Sequence, residues 1–141
     1  MRVVIDTNVI ISRYLSPRGT PARIMQRWEE EAFTLLVSEP VLEEYRRVFG
    51  YERLRKLHRL SEQEIEEVIG RFRSFAELIE VTAALRVVPD DPDDDKFVEC
   101  AAIGGAEYLI SGNSHLLKVK RYQDTEILSP ANFLTLLELR L

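Results

Sequence analysis

Short apolar runs alternate along the chain with longer stretches of helical periodicity. The runs fall at residues 3–5, 34–37, 78–81, 108–110 and 126–128. Their length and their content of Val, Ile, Leu, Thr and Tyr predict strands. After Ser38, the apolar residues Val41, Leu42, Tyr45, Val48 and Phe49 recur at helical spacing and form one face. Several helix starts carry their own signals. Thr20 and Ser129 each precede a proline, which predicts a capping side chain before proline at the first helical position. Ser38 precedes Glu39 and Pro40 in the same way, and Ser61 with Glu64 has the spacing of a capping box. Gly104 and Gly105 predict the end of a helix that begins near Asp95, because glycine enters the left-handed region without steric cost.

The resulting order is strand, helix, strand, helices, strand, helix, strand, helix, strand, helix. Such alternation with short connections predicts an α/β fold, a three-layer sandwich whose central, mostly parallel, five-stranded sheet is covered by helices on both faces. No repeat or Gly/Ser linker interrupts the 141 residues, so a single domain spanning 1–141 is expected. Composition agrees, with 45% apolar and 30% charged residues. The apolar stretch from Val3 to Ile5 is too short for a signal peptide or a membrane span, so a cytoplasmic protein with no membrane partner is expected. One cysteine, Cys100, excludes an internal disulfide and reads as core packing.

Charge complicates the picture. A net charge of −5 alone disfavours an anionic partner, but the charges are segregated. Asp90, Asp91, Asp93, Asp94 and Asp95 crowd one segment, and Arg46, Arg47, Arg53, Arg55, Lys56 and Arg59 crowd another. The acidic run reads either as a solvated loop and helix cap or as a place where a hard cation relieves mutual repulsion. The basic stretch reads either as a solvated helical face or as a track for a phosphate backbone.

In open α/β sheets, ligands bind beyond the carboxyl ends of the strands. Asp6 ends the first strand, Asp95 opens a helix, and Asn113 follows the fourth strand, so a parallel sheet would turn all three toward one crevice. Asp6 also has a plainer reading as a capping or turn aspartate. On the helix after Ser38, Glu44 lies roughly 100° from the centre of the apolar face and Glu43 about 160°. Glu44 is therefore the better inward candidate, against the alternative of a salt bridge at the helix edge.

Four segments in order carry a resemblance: Val4 to Ser12, Ser38 to Tyr45, Asp91 to Phe97, and Ala106 to Asn113. Together they make the chain similar to the PIN-domain nucleases, a Rossmann-like family, and most of all to stand-alone members assigned as toxins of toxin/antitoxin pairs. The resemblance covers nearly the whole chain. It implies catalytic positions at Asp6, Glu44, Asp95 and Asn113, with Asp6, Glu44 and Asp95 holding Mg2+ or Mn2+. It also implies Thr7, Asn8, Asp94 and Ser111 as their support. Asn113 stands where the family often has aspartate; its amide oxygen can still ligate a cation or hold water, but it brings no charge. The implied reaction is hydrolysis of a phosphodiester in single-stranded RNA by metal-activated water, with Arg46, Arg53, Arg55 and Lys56 along the nucleic acid. A small antitoxin and a second copy of the chain are the implied protein partners, for which Tyr14, Leu15, Trp28 and Phe49 are candidate contacts unless they pack in the core.

Two other readings compete. A phosphatase with an aspartate nucleophile after strand one needs a second acid two residues on, where this chain has Asn8. A PIN domain that binds RNA or a partner with weak or no catalysis is compatible with Asn113. His58 and His115 are expected as surface or helix-cap residues rather than general bases. The phosphate-loop and dinucleotide signatures are absent from the sequence.

Overall fold

The computed structural model describes residues 1–81 and 95–139. In chain order the elements are β1 (Arg2–Ile5), α1 (Thr7–Leu15), α2 (Thr20–Glu29), β2 (Thr34–Val37), α3 (Glu39–Phe49), α4 (Glu52–His58), α5 (Glu62–Phe75), β3 (Glu77–Leu78), α6 (Asp95–Gly104), β4 (Tyr108–Ile110), α7 (Ser114–Val119), β5 (Arg121–Tyr122), β6 (Thr125–Leu128) and α8 (Pro130–Leu139). The strands form one sheet in the order β3-β2-β1-β4-β6-β5, parallel except for β5. Successive side chains of a strand point to opposite faces. Val3, Val4 and Ile5 of β1 and Leu35, Leu36 and Val37 of β2 are nevertheless all buried, so both faces are covered. This is the expected α/β sandwich.

The sheet has six strands rather than the expected five. The extra strand, β5, is two residues long and pairs antiparallel with β6, Arg121 opposite Glu126 and Tyr122 opposite Thr125. A run that short leaves no periodic signal. β3 is likewise shorter than the 78–81 run suggests: it pairs only Glu77 and Leu78 with β2, and one further bond joins Ile79 N–H to Val37 O.

Most helix starts follow the sequence signals. Ser38 Oγ accepts from Val41 N at 3.2 Å, Ser129 Oγ accepts from Asn132 N at 3.2 Å, and Ser61 with Glu64 forms a complete capping box. Thr20 does not cap α2. Gly19 is the cap, extended at φ −78° and ψ 172°, and Thr20 is the first helical residue. Gly105 takes φ +67° just after α6, the left-handed stop that the glycine pair predicts.

One apolar core joins the sheet to the helices around it. Of the four residues considered for partner contacts, one belongs to it and two pack against it. Phe49 is fully buried, Tyr14 packs edge-on against Phe49 at 5.4 Å, and Trp28 stacks on Phe72 at 5.4 Å. Leu15 is exposed. Cys100 is buried in the core, and burial pushes its thiol up to about 12. Among the described residues no helix is long and apolar enough to cross a membrane.

Candidate active site at the carboxyl ends of the strands

Asp6 follows β1 directly. Its backbone N–H donates to Ile110 O at 2.9 Å, which ties the end of β1 to the end of β4. Its carboxylate is 3% exposed. Oδ1 accepts from Thr7 N at 2.7 Å and so caps α1, while Oδ2 accepts from the Ser111 hydroxyl at 2.6 Å. The capping and the buried-acid readings of Asp6 are therefore both true.

Ser111 is buried just past β4, where its N–H donates to Leu128 O at 3.0 Å. Its hydroxyl accepts from Asn113 N at 2.9 Å. Asn113 in turn caps α7, its Oδ1 accepting from His115 N at 2.8 Å. One short turn thus carries both residues toward Asp6.

Glu44 enters from α3. Ser38 fixes where this helix starts, and the buried Tyr45 hydroxyl donates to Ile5 O, pinning α3 against the end of β1. Burial pushes the Tyr45 phenol well above its usual range. The next residue back, Glu44, is held inward with its side chain 10% exposed, whereas the Glu43 side chain is 68% exposed and pairs with Arg46. The Thr7 hydroxyl donates to Glu44 Oε2, so the residue beside Asp6 links β1 to α3. On the other side, Lys96 Nζ lies 3.0 Å from Glu44 Oε1, and an Arg47 guanidinium nitrogen lies 3.5 Å from the same oxygen. Lys96 follows Asp95, which is buried at the start of α6.

The chain of contacts therefore runs Asn113, Ser111, Asp6, Thr7, Glu44, Lys96, with Asp95 adjoining its last member. Asn8 is exposed on α1, where its carbonyl accepts from the Ser12 hydroxyl. Asp94 lies outside the described residues, as do Asp90, Asp91 and Asp93. Asp6 and Asp95 are buried and the Glu44 side chain is 10% exposed, and carboxylate oxygens such as theirs are the donors that a hard divalent cation takes. Among the described residues, however, no three acids stand ready to ligate one ion together.

Lys96 and Arg47 were not legible as site residues. The available signal is electrostatic: a lysine in the first turn of a helix opposes the macrodipole and requires a local anion. The other basic candidates face outward. Arg46 pairs with Glu43 and Glu66, Arg55 lies 3.8 Å from Glu62, and Lys56 lies 3.8 Å from Glu52. Arg53 is exposed with no ion-pair partner among the described residues. His58 is buried rather than on the surface. Its Nδ1 accepts from Leu60 N and its Nε2 donates to Phe49 O, each at 2.9 Å, which ties the end of α4 to α3. A groove of about 670 Å³ beside Tyr14, Trp28, Phe72 and Phe75 includes Thr34, at the opposite end of the strands from the acids.

Sequence comparison assigns the chain to a family, and structure comparison finds its fold among solved proteins. Residues 2–115 match the family described as PIN domain. An uncharacterized protein of Methanocaldococcus jannaschii, MJ1680, is 31% identical over 120 residues, covering 85% of this chain and 76% of the relative. Among solved structures, PAE2754 from Pyrobaculum aerophilum superposes with a TM-score of 0.66 at 14% identity, covering 99% of this chain and 90% of that one. DNA-bound VapBC from Salmonella typhimurium gives 0.62 at 16% identity, covering 92% of this chain and 98% of that one. VapBC2 from Rickettsia felis, bound to a DNA fragment from their promoter, gives 0.61 at 14% identity with the same coverage. At these identities the structural likeness concerns the fold.

Proposed function

The chain belongs to the PIN-domain family, and from that premise we propose that it is a metal-dependent endoribonuclease that hydrolyses phosphodiester bonds of single-stranded RNA. The observation that carries the reading is the buried Asp6 carboxylate, joined through Thr7 to Glu44 and through Ser111 to Asn113 at the carboxyl ends of the strands. Capping α1 occupies one oxygen of Asp6, and the second is held by Ser111 toward the turn that carries Asn113.

Asp6, Glu44 and Asp95 are the residues that would hold Mg2+ or Mn2+. Bound there, such an ion lowers the pKa of a water molecule and offsets the charge of the phosphate and of the leaving oxygen. The rest falls to the chain itself. Ser111 and Thr7 N–H fix the two oxygens of Asp6, the Thr7 hydroxyl fixes Glu44, and the Asn113 amide would orient water beside them. Arg46, Arg53, Arg55 and Lys56 are proposed to follow the RNA backbone outside the cleft.

The VapBC assemblies among the structural neighbours support the reading as a toxin with a small antitoxin partner; a cytoplasmic location and a homodimer are part of the same proposal. A second reading has its own support. Asn113 contributes no charge and Glu44 is engaged by two cations, which favours a PIN domain that binds RNA or a partner with little or no cleavage. Incubation with single-stranded RNA and Mn2+, with Asp6→Asn as control, separates the two. Cleavage lost in the variant supports the nuclease; equal cleavage by both proteins would overturn it.

A further inference from the structure

Three groups engage the Glu44 carboxylate. The Thr7 hydroxyl donates to Oε2, and the Lys96 ammonium and the Arg47 guanidinium converge on Oε1 at 3.0 and 3.5 Å. Lys96 is placed against its local preference. It is the second residue of α6, where the helix end is positive, and its side chain is only 20% exposed. An ammonium is a compact, strongly hydrated charge, so this partial burial is sustained by the carboxylate it meets. A divalent ion at the same oxygen would stand beside that ammonium, and like charges repel at such range.

Resting on the proposed metal site, we infer that Lys96 is the resident counter-ion of Glu44 and sets the affinity of the cleft for divalent metal. Lys96 holds the carboxylate in the metal-free protein, and the carboxylate becomes available to a metal as the ammonium leaves Oε1. The apparent metal affinity is then the intrinsic affinity reduced by the fraction of molecules in which this pair is open. Arg47, longer and more exposed with 53% of its side chain accessible, remains near Glu44 as a weaker partner in either state.

The test is calorimetric titration of the RNA-free protein with Mn2+. Lys96→Gln is expected to bind Mn2+ on the order of tenfold more tightly than wild type, within the range usual for coupled sites. Lys96→Arg, which keeps the positive charge, is expected to stay near wild type. Equal or weaker binding by Lys96→Gln would overturn the inference while leaving the metal site standing. No Mn2+ binding by wild type or Lys96→Gln would overturn the metal site as well. Because Lys96→Gln removes a partly buried ion pair, the unmodified chain supplies an independent reading: the Lys96 side-chain 13C signal is expected to shift on adding Mg2+. An unshifted Lys96 signal at saturating Mg2+ would overturn the inference even if the variant failed to fold.

Discussion

The Ser111 hydroxyl donates to Asp6 Oδ2 at 2.6 Å while accepting from the Asn113 N–H at 2.9 Å. A hydroxyl has one proton, so the bond from Asn113 steers it toward Asp6. The end of β4 thereby fixes the orientation of a carboxylate at the end of β1. Ser111→Ala would remove this hydrogen bond from a buried carboxylate. Urea unfolding is expected to show a loss of about 1–3 kcal/mol. Mn2+ affinity is expected to fall by about 10–100-fold, as for other supports of metal ligands. Stability and affinity both equal to wild type would show that the bond positions nothing.

The basic stretch on α4 is tested by salt. Arg55 and Lys56 make long, exposed pairs at 3.8 Å, which contribute little and leave both side chains available to phosphate. Arg53 is exposed as well. If all three contact single-stranded RNA, replacing them with alanine is expected to reduce the slope of log affinity against log salt by about 2, at about 0.7 per phosphate contact. An unchanged slope would place the RNA path elsewhere.

Features that are local or periodic are legible in the sequence. Glu44 is inward because its angle on α3 follows from the helical repeat, and Ser38, Ser61 and Ser129 cap because capping is decided within four residues. Features whose deciding partner is distant are not. Lys96 meets Glu44 across 52 positions, so its role is invisible in either segment alone. Gly104 and Gly105 look like one helix stop, yet only Gly105 takes the left-handed conformation. A Cβ at Gly104 would lie 2.9 Å from atoms of both Leu36 and Ile79, a close approach between elements that the local sequence does not encode. His58 likewise owes its burial to Phe49 and Leu60 rather than to any pattern of its own.

Alkaline pH should weaken the fold through its buried acids. Burial raises the Cys100 thiol from an ordinary value of 9.0 to about 12. Between those values the unfolded chain has lost a proton that the folded chain keeps, so stability falls as pH rises. The slope from this group is about 1.4 kcal/mol per pH unit. Tyr45, also raised by burial, acts in the same direction above about 10. Urea unfolding from pH 8 to 11 is expected to show the decline, with Cys100→Ala flattening its first part. A flat profile in the wild type would mean that the thiol ionises in place.

Asn113→Asp tests the weakest corner of the cleft. The amide oxygen already caps α7 by accepting from His115 N at 2.8 Å, and an aspartate oxygen caps as well as asparagine does. Negative charge is also favoured at a helix N-terminus. The fold should therefore accept the change, and its consequences should be electrostatic. The backbone of position 113 is joined through Ser111 to the buried Asp6, so the new carboxylate adds negative charge to the same end of the sheet. Without metal that added charge is expected to lower the melting temperature. With Mn2+ the extra charged ligand is expected to raise affinity on the order of tenfold, since the number of charged ligands tunes cation binding, and to enlarge the metal-induced rise in melting temperature. Under the proposed nuclease function, cleavage of single-stranded RNA at limiting Mn2+ should increase in parallel. Unchanged Mn2+ affinity in a folded Asn113→Asp protein would confine this residue to capping α7 and remove it from the site.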